Sequence, residues 1–393
     1  MDSTYYETPE ELTVTPIKRP FFKFYGIHIL LFLSTILTTT IAGTTWAGKD
    51  FLEITNWQYG LPYSLLLMAF LSAHEFGHYF ASRYHKVDAS LPYFLPMPIM
   101  FLSPFGTFGA FIKTYEPIPS RKALFDIGVA GPIAGFVVCL IILIIGLTNL
   151  PPKEYLYTIH PEFIGHGGET SPYGLYFGTT LLYEFFVKLF VGQGEFLPPM
   201  NEIYHYPFLC VGWFGMFVTA LNMIPIGQLD GGHIIYSMFG KKQRIISRVF
   251  WWILLLIGVG YFVGIALELF EQSLYMIFPT SSILNLFAWL KTHGAWYFEG
   301  WNGWLFWVFI TRFFMKIDHP PIRINKQIGR KRMIIGYFAI VIFIVSFSFR
   351  GIYFNTPDIY QEDNKIMKVL RRSMPMDWWD SSKDTETKKE IKK

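Results

Sequence analysis

Charged side chains are scarce in this sequence, and cysteine is almost absent. Asp, Glu, Lys and Arg together make up 16% of the 393 residues, whereas typical soluble domains carry about 25%. The two cysteines, Cys139 and Cys210, both lie in apolar stretches, which excludes a disulfide framework and a cysteine-rich metal site. The basic residues form short clusters beside apolar segments and no continuous stripe, so binding to nucleic acid is not expected.

Apolar residues are abundant and arranged in long segments. Hydrophobic residues make up 52% of the chain, and its mean hydropathy is +0.33. A membrane-spanning helix needs roughly 20 apolar residues to cross about 30 Å of hydrocarbon. Six segments approach that length: residues 27–46, 61–80, 124–147, 207–226, 249–269 and 333–349. The sequence predicts an all-α polytopic membrane protein with about six transmembrane helices. A large soluble enzyme with buried helices is the disfavoured alternative.

Clusters of basic residues indicate how these segments are oriented. Short basic flanks mark cytoplasmic loops of membrane proteins. Here they lie at residues 18–23, 83–86, 121–122, 241–248 and 323–332. The N-terminus lacks the basic start and short apolar run of a cleavable signal peptide. Residues 1–22 are therefore expected to form a cytoplasmic tail, followed by the first span and an external loop in residues 23–60. The predicted setting is a bacterial inner membrane.

The second apolar segment contains the motif HEFGH, with His74, Glu75 and His78. At 3.6 residues per turn, the two histidines lie one turn apart on the same helix face. Two imidazoles at that spacing can bind one zinc ion, with Glu75 beside it to take a proton from water. The motif can occur by chance, but ionisable residues in an apolar helix are costly unless they have partners or a wet cavity. The segment therefore predicts a catalytic site with one Zn²⁺ ion.

A third ligand is expected on another span, because catalytic zinc sites have three protein ligands and an open fourth position. The stretch NMIPIGQLDGGH contains Asp230 and His233. Pro225 and Gly227 are expected to break the helix, and the two glycines after Asp230 permit a sharp turn that aims its carboxylate inward. Two alternatives stay open at this point: Asp230 caps the helix that begins at His233, or His233 is itself the ligand.

Residues 91–120 contain too many prolines and glycines for a continuous helix, yet they are too apolar for an exposed loop. Within them, GTFGAFIKTY has the glycine, aromatic and β-branched composition of a short strand or hairpin. Non-helical backbone at membrane depth requires protein or a wet cavity around it. We predict a re-entrant hairpin beside the active site.

Residues 150–205 are predicted to form an external connection that contains an interfacial or re-entrant helix. A full crossing there would place Asp230 on the opposite side of the membrane from His74. Residues 249–354 are predicted to hold the C-terminal membrane segments, with an aromatic region that fits a short span or an interfacial hairpin. Residues 355–393 mix both charges and are expected to be a disordered tail.

The loop HPEFIGHGGE contains four potential metal ligands, which are His160, Glu162, His166 and Glu169. They are close enough in sequence to suggest a second metal site. A solvated loop is the favoured interpretation, because these ligand types have no fixed scaffold in the sequence.

Three motifs together resemble the site-2 protease family of intramembrane zinc metalloproteases. HEFGH on one span and NMIPIGQLDGGH on a later one are similar to the family's two metal-binding motifs. The intervening GVAGPIAG matches its G-x-x-x-P-x-x-G pattern through Gly128, Pro132 and Gly135. GTFGAFI resembles its re-entrant β-hairpin. The motifs occur in the family's order, so residues 61–248 are expected to form the metalloprotease membrane core.

The resemblance implies an endopeptidase that cleaves a membrane-anchored protein within or near its transmembrane segment, on the cytoplasmic side. The zinc ligands and general base that it implies are His74, His78, Asp230 and Glu75. Asn222 matches a family position that holds substrate or the oxyanion.

The hairpin around Gly106, Phe108 and Gly109 is a candidate for pairing with an unwound substrate as an added strand. Simple structural plugging is the alternative role for this hairpin.

The sequence departs from many family members because no PDZ module or nucleotide-binding regulatory domain is recognisable in it. Substrate selection is then expected to fall to the spans, the external segment or a partner. The expected partners are a membrane-anchored protein substrate and the lipid bilayer, and the oligomeric state is open. Two alternatives to an endopeptidase stay open. One is a non-proteolytic metal-binding scaffold, and the other is a transporter with a midplane metal site. The intact Glu75 argues against the scaffold.

Overall fold

The computed structural model describes residues 21–99, 103–165, 174–277 and 301–355, with the short pieces 283, 285–287, 289–290 and 293–294 between them. The two predicted tails, at residues 1–22 and 355–393, lie almost entirely outside the described residues. So do His166 and Glu169 of the histidine-containing loop.

Helices dominate the described chain. In chain order they are α1 (Phe21–Trp46), α2 (Trp57–Tyr84), α3 (Arg121–Thr148), α4 (Glu154–Ile159), α5 (Glu162–Gly165), α6 (Leu181–Phe190), α7 (Pro207–Asn222), α8 (Asp230–Phe239), α9 (Gln243–Ile277), α10 (Gly303–Phe313) and α11 (Arg330–Ser346). Four short strands accompany them: β1 (Tyr93–Pro96), β2 (Thr107–Phe111), β3 (Gly174–Phe177) and β4 (Ile352–Asn355).

Three helical stretches in the described chain are long and apolar enough to cross a membrane. They are Tyr25–Trp46, Arg121–Thr148 and Asp230–Tyr275, the last of which runs through α8 and α9. Helices α7 and α10 are apolar but shorter. These lengths and compositions are those of a helical membrane protein, whereas the number of six spans stays a prediction.

Helix α3 lies at the centre of the bundle, in contact with α2, α7 and α8. Large side chains fill the space around it, and Trp213, Phe70 and Leu143 are completely buried there. The indole of Trp213 donates a hydrogen bond of 2.7 Å to the carbonyl of Gly178, as a buried tryptophan requires. This packing fixes the position of α2 relative to α3 and α7, and the candidate site depends on that position.

Threonine hydroxyls make α1 compatible with an apolar environment. Thr35, Thr39, Thr40 and Thr44 each donate a hydrogen bond to the carbonyl four residues earlier. The hydroxyl of Thr39 also lies 2.7 Å from that of Ser64 on α2. Because each hydroxyl has a partner within the bundle, small polar residues can hold α1 against α2 without exposing polar groups to lipid.

The predicted hairpin is present in the described part of residues 91–120. Strands β1 and β2 pair antiparallel, with Tyr93 opposite Phe111, and β1 lies against α1. Gly106, in the turn, has a φ of +77°, and a Cβ there would meet the backbone of Thr38 on α1. The turn is therefore anchored to α1. Its re-entrant position in the membrane stays a prediction.

A second sheet was not predicted from the sequence. Strand β3 pairs antiparallel with β4, so that Gly174 lies opposite Asn355 and Phe177 opposite Ile352. This pairing attaches the predicted external segment to the chain that follows α11. The helix predicted within residues 150–205 corresponds to α6, whose Leu181, Phe185 and Leu189 are exposed as expected of an interfacial helix.

An ion pair joins three helices at the end of the bundle where α3 begins. Asp126 on α3 accepts two hydrogen bonds of 2.8 Å from the Arg332 guanidinium on α11. His85, which follows α2, lies 2.8 Å from the same carboxylate. The basic residues near 323–332 are predicted only to flank a membrane segment, whereas Arg332 forms this specific contact.

Replacing Asp126 by Asn is expected to lower the apparent melting temperature of the detergent-solubilised protein by several degrees. The pair is bidentate and its side chains are only 27% and 23% exposed, so its loss is expected to cost about 1–3 kcal/mol, between the values for surface and buried pairs. Asp318→Asn is the matched control, because its partner Arg248 is 62% exposed. Equal shifts for the two variants would contradict a structural role for Asp126.

Candidate metal centre

Three potential ligand atoms from α2 and α8 form a nearly equilateral triangle. His74 Nε2 lies 3.2 Å from His78 Nε2, and each of these nitrogens lies 3.3 Å from Asp230 Oδ2. A tetrahedral zinc ion with bonds of about 2.0 Å places its ligands about 3.3 Å apart. The donor types and their separations therefore fit one zinc ion.

The orientation of His78 also fits metal binding. Its Nδ1 lies 2.7 Å from the backbone carbonyl of Ile127 on α3. Because a carbonyl oxygen can only accept, Nδ1 carries the hydrogen and the Nε2 lone pair of the neutral ring faces the triangle. A second ring nitrogen held in this way is typical of metal-binding histidines. The side chains are removed from solvent, since His74 is 3% and His78 7% exposed.

The turn that brings Asp230 to the histidines lies earlier than predicted. Helix α7 ends at Asn222, residues 223–229 interrupt the helix, and Gly227 has a φ of +56°. Asp230 and the two glycines after it form the first turn of α8, so the prediction of a sharp turn at these three residues is wrong. A Cβ at Gly231 would overlap the carbonyl of Met223, which explains the glycine by close packing of the first turn against residues 223–227.

The structure distinguishes between the alternatives for Asp230. The N-cap of α8 is Leu229, and Asp230 is the first helical residue, so Asp230 does not cap a helix that starts at His233. His233, the competing ligand, lies with its Nδ1 2.9 Å from His319 Nε2. Among the described residues, the group at this position that could hold a metal ion consists of His74, His78 and Asp230.

Asn222 lies at the edge of the triangle. It is the last residue of α7, and its Nδ2 is 3.4 Å from His74 Nε2. An amide at this position can donate a hydrogen bond to a molecule bound beside the metal ligands.

Glycines on α3 allow this helix to pass very close to the histidines. A Cβ at Gly131 would overlap His78 Nε2, and one at Gly135 would lie 3.2 Å from the Cβ of His74. The small residues of this stretch predict close helix packing, and the family pattern contains Gly128 and Gly135 but not Gly131. The structure therefore adds Gly131 to the residues on which the site depends.

Glu75 lies beside the triangle and next to the hairpin. It is 6% exposed, and it interacts with the backbone N–H of Ile112, the residue after β2. Of the hairpin residues singled out in the sequence, Phe108 is 56% exposed and Gly109 borders open space, whereas Gly106 packs against α1. No local sequence signal points to the contact with Ile112, because that contact depends on how the hairpin packs against α2.

Comparison with known protein families matches residues 62–265 to peptidase family M50. The chain belongs to this family, the site-2 proteases.

Curated plant proteins are similar over part of the chain. One is the probable zinc metalloprotease EGY2, chloroplastic, of Oryza sativa subsp. indica, which is 29% identical over 190 residues covering 48% of this chain and 31% of the relative. A second is EGY1 of Oryza sativa subsp. japonica, which is 32% identical over 46% of this chain and 28% of the relative. A third is EGY1 of Arabidopsis thaliana, which is 29% identical over 47% of this chain and 31% of the relative. Both are named probable zinc metalloproteases, chloroplastic.

The chain thus spans less than a third of the length of these relatives. No solved structure matches it. The relatives are chloroplastic plant proteins, which conflicts with the expectation of a bacterial inner membrane.

Proposed function

We propose that this chain is an intramembrane zinc endopeptidase that hydrolyses a peptide bond in or near the transmembrane segment of a membrane-anchored protein. The observation that carries the proposal is the triangle of His74, His78 and Asp230 with Glu75 beside it. Asp230 begins a stretch that is long and apolar enough to cross a membrane, and α2, which carries the two histidines, packs against two further such helices, α1 and α3. Membership of family M50 and relatives named as zinc metalloproteases support the same activity.

His74, His78 and Asp230 are the proposed zinc ligands. Two neutral imidazoles and one carboxylate are a donor set used by catalytic zinc sites, which keep a fourth position open. A bound zinc ion supplies Lewis-acid polarisation of the scissile carbonyl and lowers the pKa of water to about 7. The chain contributes the fixed orientation of the ligands, through the Ile127 carbonyl that holds His78.

Glu75 is the proposed general base. Its position next to the ligand triangle lets it take a proton from the attacking water and deliver that proton to the leaving amine. Asn222 is proposed to donate its side-chain N–H to the developing oxyanion, since its Nδ2 lies at the edge of the same triangle. Such a donor is useful when it is aimed in advance at the charge that develops in the transition state.

Strand β2 is the proposed binding edge for the substrate. A transmembrane helix must unwind before a peptide bond can be attacked, and its freed backbone groups then need partners. Phe108 and Gly109 are open to such a segment, and β2 leads directly to Ile112 beside Glu75. Pairing along β2 would deliver the substrate to the base. Gly106 has a different role in this proposal, which is to anchor the turn on α1.

The alternatives of a binding scaffold or a transporter explain the three ligands but not Glu75. A scaffold needs no proton acceptor beside its metal ligands, and burying a carboxylate in a membrane protein is costly unless it has a function.

Cleavage of single-span reporters in proteoliposomes tests the proposed function. The reporters would share soluble domains and differ in helix-breaking residues within the span, with the cut site located by mass spectrometry. We expect cleavage in or near the hydrophobic segment, loss of cleavage with 1,10-phenanthroline, and recovery on addition of Zn²⁺. Cleavage confined to the soluble domains, or cleavage that the chelator does not affect, would overturn the proposal.

A further inference from the structure

A second cluster of potential ligands lies at the other end of α7. His160 Nε2, after α4, is 2.9 Å from His205 Nε2. Glu202 Oε2 lies 3.6 Å from the first of these nitrogens and 3.5 Å from the second. These separations are close to those within the His74, His78 and Asp230 triangle. Helix α7 follows His205 and precedes Asp230, so it separates the two clusters. Its 16 residues measure about 24 Å at 1.5 Å per residue.

The outer nitrogens of both rings are held by hydrogen bonds. His205 Nδ1 donates to the backbone carbonyl of Trp46, and His160 Nδ1 lies 2.8 Å from Glu162 Oε1. When both Nδ1 atoms donate, the Nε2 atoms of the neutral rings carry lone pairs that face each other at 2.9 Å. Two lone pairs at this distance repel, so the arrangement needs either a proton on one Nε2 or a metal ion between the two nitrogens. Outer hydrogen bonds of this kind are typical of histidines that bind metal.

Glu202 supplies the negative charge of this cluster. Its side chain is only 3% exposed, and Oε2 is buried without a hydrogen-bond partner among the described residues. Its other oxygen accepts a hydrogen bond from Asn201. Burial raises the pKa of Glu202 to about 7 and lowers that of His205 to about 4. A buried carboxylate oxygen aimed at two imidazoles is costly to leave without a counter-charge.

We propose that His160, Glu202 and His205 bind a second divalent transition-metal ion, at the end of the bundle away from the first site. Two imidazoles and one carboxylate favour zinc among the metals that such ligands bind. His160 is 26% exposed, so water can complete the coordination. The fixed partners that the sequence does not reveal for His160 lie 42 and 45 residues further along the chain, at Glu202 and His205.

The position of this cluster gives the metal a structural role. His160 follows α4, His205 lies two residues before α7, and the outer hydrogen bond of His205 reaches the last residue of α1. A metal ion here joins two segments that are distant in sequence, and the hydrogen bond from His205 adds a third. Because the site forms only in the folded chain, the free energy of metal binding stabilises the fold. It would hold the connection between α3 and α7 on the end of the bundle.

Metal content measured in a His78→Ala background tests the second site separately from the first. The purified full chain would be dialysed against Zn²⁺, freed of excess metal and analysed by mass spectrometry. We expect about one zinc per chain in this background, as for a single three-ligand site. Adding His160→Ala or the isosteric Glu202→Gln is expected to remove it. His293→Ala is the matched control and is expected to change nothing, because His293 is an exposed histidine elsewhere.

The inference fails if the His78→Ala protein holds no zinc, or if its zinc is unaffected by both His160→Ala and Glu202→Gln. Thermal unfolding gives an independent readout, since EDTA should lower the apparent melting temperature of the His78→Ala protein but not of the double variants. Failure of the first site has a different signature, because wild type and His78→Ala would then contain equal amounts of zinc.

Discussion

Replacement of Glu75 by Gln is expected to lower the rate of reporter cleavage by a factor of about 10²–10⁴ while the zinc content stays at the wild-type value. This is the range that a positioned general base contributes. Gln has nearly the same size and shape as Glu but cannot take a proton from water. Glu75 lies outside the three atoms of the ligand triangle, so the substitution leaves every proposed ligand in place. It also removes a buried carboxylate, and no loss of stability is expected.

The cleavage assay and zinc analysis should be made on the same preparation of the Glu75→Gln protein. Glu116→Gln is the matched control, because Glu116 is an exposed carboxylate beyond the hairpin, and its cleavage rate should equal that of wild type. Cleavage by Glu75→Gln above about a tenth of the wild-type rate would rule out the proposed base. Loss of zinc in this variant would show that Glu75 holds metal instead.

The second large effect is expected from a single added methyl group, in Gly131→Ala. In an open helix position this change stabilises by about 1 kcal/mol, because alanine is the better helix former. Here the new Cβ would overlap His78 Nε2, one of the three proposed ligand atoms. His78 must then leave either the Ile127 carbonyl or the metal position. Disturbing the groups that orient a ligand typically costs 10–100-fold in metal affinity or activity, and a direct overlap should cost at least about 100-fold.

Competition for Zn²⁺ with a chromophoric chelator measures this affinity in the purified Gly131→Ala protein. Gly26→Ala is the matched control, since Gly26 lies in α1 and a Cβ there meets nothing within 4 Å. Unchanged zinc affinity in Gly131→Ala would mean that α3 can move away from α2. The close approach would then not be a requirement of the site.

The local parts of the site could be predicted from the sequence alone. His74 and His78 are four residues apart, so helix geometry places both imidazoles on one face without information about the rest of the chain. The hairpin was predicted for a similar reason, because glycine, aromatic and β-branched residues favour strands and turns over short distances.

The choice between Asp230 and His233 could not be made from local pattern. It depends on how residues 223–229 pack, and their backbone contacts residues 316 and 317, about 90 positions away. The resemblance to site-2 proteases favoured Asp230, and the geometry of the triangle agrees with that choice. Close backbone packing also explains the glycine after Asp230, which the sequence analysis had assigned to a sharp turn.

Contacts between distant segments account for what the sequence analysis missed. The pairing of β3 with β4, the ion pair of Asp126 with Arg332, and the cluster of His160 with His205 each join segments separated by at least 45 positions. Each half is unremarkable in its own stretch: a short aromatic strand, a basic flank, a histidine in a polar loop. Only their convergence in the fold identifies them.

The meeting of α2 and α8 at one metal ion is tested most directly by zinc analysis of the purified protein. Wild type would be compared with Glu75→Gln, His78→Ala and Asp230→Ala after identical dialysis. His78→Ala and Asp230→Ala should each contain about one zinc per chain less than wild type, as expected for a shared three-ligand site, and Glu75→Gln should match wild type. If Asp230→Ala keeps the wild-type zinc content, the third ligand is not Asp230 and the proposed metal centre is wrong.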